Sequence, residues 1–138
     1  MTIYVDTSAV LRFVLGEAGA VAELRRAERL VSSELLEVES RRTIDRLARA
    51  GALSPDEAAD RLAAVSLWME AVDLVLLRAP VLSRAGDPLP TPLGTLDAIH
   101  LATALVWRDR SQAPFTLATH DTALGLAART FQIPVIGC

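Results

Sequence analysis

Apolar and polar positions along the chain switch between short continuous runs and helical spacing several times. Residues 2–5 form a brief β-branched and aromatic run, which predicts a buried strand. A short helix follows, with Ser8 as its expected cap and Gly16 at its end. Residues 18–28 have helical spacing, and residues 29–32 a second brief strand. Ser32 or Ser33, with Glu34 in the first turn, is expected to cap a long helix that Gly51 closes. That helix buries Leu36, Ser40, Thr43, Ile44 and Leu47, turns Arg41, Arg42, Asp45 and Arg49 outward, and leaves Glu39 at the border. Ser54-Pro55-Asp56-Glu57 starts another helix that runs to about Met69. Residues 71–76 read as a third strand. Residues 86–94 carry three prolines and read as a loop. Thr95 is the expected cap of a helix from Leu96 to about Trp107, apolar nearly all round and so expected to be buried. Residues 115–118 predict a fourth strand, 121–129 a helix and 134–136 a final short strand.

Strands that alternate with helices argue an α/β fold, with a parallel sheet of about five short strands covered by helices on both faces. The 138 residues contain no repeat, low-complexity tract or domain boundary, so a single domain over 1–138 is expected. Hydrophobic residues make up 51%, enough for a packed core and too many for disorder.

Charge and composition narrow the chemistry. A net charge of −3 is not the basic footprint of a general nucleic-acid binder, so any such contact must be local. Cys138 is the one cysteine, which excludes an internal disulfide and a cysteine zinc site and suits a reducing compartment. Asp6 and Arg12 interrupt the opening apolar stretch, and no run is long enough for a membrane helix, so a cytoplasmic protein is expected. All 14 basic residues are arginine. Without lysine, P-loop nucleotide hydrolases, Schiff-base enzymes and receiver-type phospho-acceptor domains are excluded.

Four acids are placed to reach the carboxyl edge of such a sheet, where ligands of open α/β folds bind. Asp6 ends the first strand, Asp121 follows the fourth, Glu39 lies two turns into the long helix, and Asp97 lies in the first turn of the buried helix. Each has an ordinary explanation. Asp97 suits a helix N-terminus, Glu39 can pair with Arg42, and Asp6 and Asp121 can cap turns or helices. Similarly, His100 reads as a packed or hydrogen-bonded core histidine, His120 as a solvent-facing loop residue, and Cys138 has no clear role. Together the acids suggest more. Converging carboxylates repel, and a hard cation such as Mg²⁺ or Mn²⁺ removes that penalty. One or two such ions can hold a phosphodiester and activate water for in-line attack.

At these residues the chain resembles the PIN-domain family, and closely its VapC toxins. Ile3-Tyr4-Val5-Asp6-Thr7-Ser8-Ala9 is similar to the first family motif, and Ser33-Glu34-Leu35-Leu36-Glu37-Val38-Glu39 to the second. The segment Leu96-Asp97-Ala98-Ile99-His100-Leu101-Ala102-Thr103-Ala104 is the most specific match, and Thr119-His120-Asp121 resembles the fourth, with histidine where an aromatic is common. The resemblance covers essentially the whole chain. It implies a Mg²⁺- or Mn²⁺-dependent endoribonuclease acting on RNA such as tRNA or rRNA, a homodimer, and a VapB-like antitoxin that holds it inactive. The expected metal ligands and catalytic residues are Asp6, Glu39, Asp97 and Asp121, with Ser8 and Thr119 hydrogen-bonding the carboxylates or water. Arg41, Arg42, Arg46 and Arg49 are candidate RNA contacts, or an ordinary solvated face. The alternative is a non-catalytic RNA- or protein-binding module. An aspartate-nucleophile phosphatase fits less well, because Ser8 stands where a second aspartate is wanted and lysine is missing.

Overall fold

The computed structural model describes all 138 residues. Five strands, β1 (Thr2–Val5), β2 (Arg29–Ser33), β3 (Asp73–Val75), β4 (Thr116–Ala118) and β5 (Val135–Ile136), form one sheet in the order β3-β2-β1-β4-β5. Every pairing is parallel. Six α-helices connect them: α1 (Thr7–Val14), α2 (Leu35–Arg49), α3 (Pro55–Ala71), α4 (Ala79–Ala85), α5 (Thr95–Ser111) and α6 (Thr122–Thr130).

The alternation of side chains along β1 divides the core into two. Ile3 and Val5 join a cluster with Val10, Val14, Leu36, Ile44 and Val65 from α1, α2 and α3. Tyr4 points the other way, to Leu101, Leu105, Leu117 and Leu124, under α5 and α6. A strand buried on both faces needs a continuous apolar run, which is what residues 3–5 are. Helix α5 is buried along Ala98, His100, Leu101, Ala102, Thr103, Ala104 and Leu105, in line with its apolar pattern.

The chain steps outward from β1 through β2 to β3, then returns to build β4 and β5 on the other side of β1. The reversal lies between β1 and β4, whose carboxyl ends are side by side: Val5 is in register with Ala118. Such a switch point opens a crevice beyond the strand ends. No helix is long and apolar enough to cross a membrane.

Local differences from the pattern have identifiable causes. Residues 18–28 hold only a 3₁₀ turn, Ala22–Arg25. Gly16 and Gly19 sit at φ +69° and +78°, which stops a regular helix, and Val21 and Leu24 are the buried apolar anchors of that stretch. The first helix begins a residue before its expected cap: Asp6 is the N-cap, and its side chain accepts from the Ala9 N–H. Strand β2 runs through Ser33, so Glu34 takes the N-cap position of α2 without a side-chain cap, although Ser33 Oγ accepts from the Leu35 N–H at 3.1 Å. Gly94, not Thr95, precedes α5, and the helix runs on to Ser111. Helix α4 is one the pattern does not predict; it is short, has Pro80 in its first turn and packs on α5.

Helix α3 has the predicted start. Ser54 accepts from the Glu57 N–H while the Glu57 carboxylate accepts from the Ser54 N–H, a complete capping box. Ser54→Ala should cost about 1 kcal/mol. Urea unfolding should show a lower midpoint with an unchanged slope.

Candidate active site

Asp6 is only 4% exposed at the end of β1. Its Oδ1 accepts from Ser8 Oγ at 2.6 Å and from the Ala9 N–H at 3.1 Å, and its Oδ2 accepts from Thr119 Oγ1 at 2.8 Å. Burial raises its carboxyl above the ordinary range; the bonds from Ser8, Thr119 and Ala9 and the nearby His100 pull the other way without prevailing. The two hydroxyls also receive bonds. Ser8 Oγ accepts from the His120 N–H, and Thr119 Oγ1 from the Asp121 N–H, both at 2.9 Å. Each hydroxyl has one proton, and both protons go to Asp6. Thus Ser8 and Thr119 tie the end of β1 to the loop after β4.

Asp121 lies in that loop as the N-cap of α6, with Oδ1 accepting from the Leu124 N–H at 2.9 Å. Its capping role therefore occupies one oxygen and leaves the other without a protein partner. Glu39 projects from α2, with Oε1 accepting from Thr7 Oγ1 at 2.7 Å and in contact with His100 Nε2 at 2.6 Å. Its burial raises the carboxyl, but the hydrogen bond and charge of His100 and the bond from Thr7 together lower it below the ordinary range.

Asp97 differs from the other three. It sits half-buried in the first turn of α5 and its carboxylate accepts no hydrogen bond from the protein. Burial raises its carboxyl most; the negative charges of Asp121, Asp6 and Glu39 raise it further, against a smaller opposing effect of His100. The other three acids predicted from sequence therefore act on Asp97 at the β1–β4 switch point.

The donor set is hard oxygen throughout, and unengaged oxygens remain on Asp97, on Glu39 (Oε2) and on Asp121 (Oδ2). This chemistry fits Mg²⁺ or Mn²⁺. No three of the acidic, histidine or cysteine side chains are drawn close enough to hold an ion in the present rotamers. The other acids raise the Asp97 carboxyl, and this unanchored side chain would have to turn for an ion to be shared with them.

The four arginines of α2 do not share one environment. Arg41 turns toward α3, bonding Glu37 and Ser66. Arg42 and Arg49 both pair with Asp45. Arg46 is exposed, has no acidic partner, and lines a groove of about 420 Å³ together with Glu39, Arg42, Val38 and Leu96.

Two residues beside the acids were not predicted as part of the site. His100 is a buried, hydrogen-bonded histidine as expected, but its partner is Glu39. Thr7 shares that carboxylate. The signal for His100 was its position three residues after Asp97, which places both on one side of α5. Thr7 had no distinguishing signal. His120 is a partly exposed loop residue, but it is tied down: β5 returns beside β4, and His120 Nδ1 donates to the Gly137 carbonyl at 2.9 Å while Nε2 is shielded from solvent.

The PIN domain family matches residues 3–128, which takes in all four acids. The chain belongs to the PIN-domain family. Among its relatives is Ribonuclease VapC46 of Mycobacterium tuberculosis (strain ATCC 25618 / H37Rv), 34% identical over 138 aligned positions that cover 97% of this chain and 95% of the relative. The fold is shared with the crystal structure of VapBC2 from Rickettsia felis bound to a DNA fragment from their promoter, at a TM-score of 0.66 and 11% identity over 98% of this chain and 97% of that one. This PIN domain thus stands with VapC proteins.

The Asp97 environment sets a stability test. A carboxyl raised by folding destabilises the native state when ionised, and that penalty fades as pH falls and the proton is taken up. Without divalent ions at pH 7, Asp97→Asn should therefore melt about 2 °C above the wild type. The difference should shrink toward acidic pH, as followed by thermal unfolding across a pH series.

Proposed function

We propose that this chain is a divalent-metal-dependent endoribonuclease and the toxin half of a VapBC-type pair. The observation that carries the reading is Asp97: a half-buried carboxylate without a protein donor, exposed to the charges of Asp6, Asp121 and Glu39. Repulsion of this kind lowers stability, and a cation that the acids share removes it. The similarity to Ribonuclease VapC46 supports RNA as the substrate class, and the VapBC2 complex supports a VapB-like antitoxin as partner. A cytoplasmic homodimer completes the proposal, with exposed Leu67, Leu82 and Leu126 as apolar surface available for contacts between chains.

Asp6, Glu39, Asp97 and Asp121 would hold one or two Mg²⁺ or Mn²⁺ ions. When bound, the metal supplies the positive charge that an RNA phosphate and an attacking water need. The chain supplies order. Ser8 and Thr119 fix both oxygens of Asp6, so that carboxylate cannot rotate with the others. Thr7 and His100 fix one oxygen of Glu39. Arg46, which has no acidic partner and lines the groove next to Glu39, would be the arginine free to meet a phosphate, whereas Arg41, Arg42 and Arg49 are paired with acidic neighbours. Attack opposite the leaving ribose oxygen would leave a 5′-phosphate and a 3′-hydroxyl.

Purified protein free of antitoxin should cut total cellular RNA, including tRNA and rRNA, at discrete positions with Mg²⁺ or Mn²⁺ and not with EDTA. Asp97→Asn should lose at least about 100-fold in rate. Mn²⁺ should also raise the melting temperature of the wild type more than that of the variant. Binding of RNA without cleavage under every metal condition would instead favour the non-catalytic module.

The arginines allow a second test. Arg46→Ala should raise KM and reduce the salt dependence of RNA affinity, while Arg49→Ala should do neither. Equal effects of both substitutions would show that the helix contributes only a diffuse charge.

A further inference from the structure

Glu39 of α2 is held by a side-chain network that joins four elements, β1, α1, α2 and α5. His100 of α5 is 2% exposed, with Nε2 at 2.6 Å from Glu39 Oε1 and Nδ1 at 2.9 Å from the hydroxyl of Tyr4 in β1. Thr7 Oγ1 donates to the same Oε1 at 2.7 Å and stands 3.3 Å from His100 Nε2. An ionised carboxylate can only accept, so the proton between His100 and Glu39 is on Nε2. Tyr4 engages the other nitrogen and packs against the imidazole edge-on, with ring centroids 6.1 Å apart and planes at 80°. Both ring nitrogens are thereby occupied and the imidazole cannot turn.

The consequence falls on Glu39. Its side chain has three rotatable bonds, and a free carboxylate at the border of α2 would sample several rotamers. Here Oε1 is bonded twice and Oε2 has no protein partner. Packing alone would account for a buried histidine. It would not account for a histidine aimed at a half-buried acid on another helix.

We propose that His100, oriented by Tyr4, is a positioning residue for phosphodiester cleavage: it pins Glu39 through Oε1 and leaves Oε2 as the oxygen that serves the reaction. The proposal rests on the endoribonuclease reading for its kinetic consequence, but the network itself does not depend on it.

A double-mutant cycle with Mn²⁺ and an RNA substrate tests this role. His100→Leu should lower kcat by about 10–100-fold with little change in KM. In a Glu39→Ala background the same substitution should cost nothing further. His100→Gln, which keeps an N–H donor near the Nε2 position, should recover part of the rate. Tyr4→Phe should lower kcat by a smaller factor, also through Glu39. If His100→Leu fails to fold, His100→Gln and Tyr4→Phe carry the cycle. Loss of the same factor in the Glu39→Ala background, or wild-type cleavage by His100→Leu, would overturn the proposal. Nitrogen-15 NMR of the metal-free protein gives an arm independent of cleavage. Nε2 of His100 should be protonated, and the Nδ1 signal should move in Tyr4→Phe. A bare Nε2 would refute the network even in an active enzyme. Absence of any RNA cleavage by wild type would instead reject the nuclease reading, with the NMR arm still deciding whether His100 holds Glu39.

Discussion

The bonds around the Asp6 carboxylate are the constraint on which the site depends. Asp6 does three things at once: it ends β1, caps α1 and carries a buried negative charge. A carboxylate this buried is costly unless its lone pairs are filled. Ser8 and Ala9 donate to Oδ1 and Thr119 to Oδ2, which leaves one lone pair of Oδ2 open, and Ser8 and Thr119 in turn receive the backbone N–H groups of His120 and Asp121. The same bonds that make the charge tolerable also set the loop after β4, and with it Asp121. Removing either hydroxyl would therefore leave a donor or an acceptor unpaired on both sides of the switch point.

The four acids divide into those the protein has satisfied and one it has not. Asp6 is engaged through both oxygens, Glu39 and Asp121 through one, and Asp97 through none. The first three are held to different parts of the fold: a strand end, a buried histidine and a helix cap. Asp97 has no such anchor and feels the charge of all the others. This is the arrangement expected where stability is conceded for function, because an acid that serves only the fold would be paired.

The layout was largely legible in the sequence because long-range order follows from simple patterns. Apolar runs at 3–5 and 115–118 mark strands buried on both faces, and the apolar circumference of residues 96–107 marks a helix between sheet and solvent-side neighbours. The acids could be placed on one sheet edge from chain order alone, since parallel strands carry their following loops to the same side. Local detail was harder. Asp6, Ser8, Ser33 and Thr95 are all competent caps, and which one is used depends on where the strand hydrogen bonds stop, a tertiary fact. The 18–28 segment has helical spacing, but Gly19 within it and Gly16 just before it are at positive φ. Helix α4 has a single buried residue, Val81, too little for a periodic signal.

The side-chain pairing at Glu39 marks the limit of such reading. From sequence, Arg42 is its natural partner, three residues on in the same helix, yet Arg42 pairs with Asp45 instead. The preference has a physical basis. An exposed ion pair gains little against water. A bond from a buried imidazole, whose other nitrogen is already held by Tyr4, is made where water competes poorly. Glu39 can reach that imidazole only because α2 and α5 flank the same strand end, and no local pattern encodes that approach. A partner one turn away is available in any helix, whereas a partner 61 positions along the chain exists only in the folded protein. For an acid that must be presented in one orientation, the second kind of partner is the more useful, because it ties the carboxylate to the core and not to the helix that carries it.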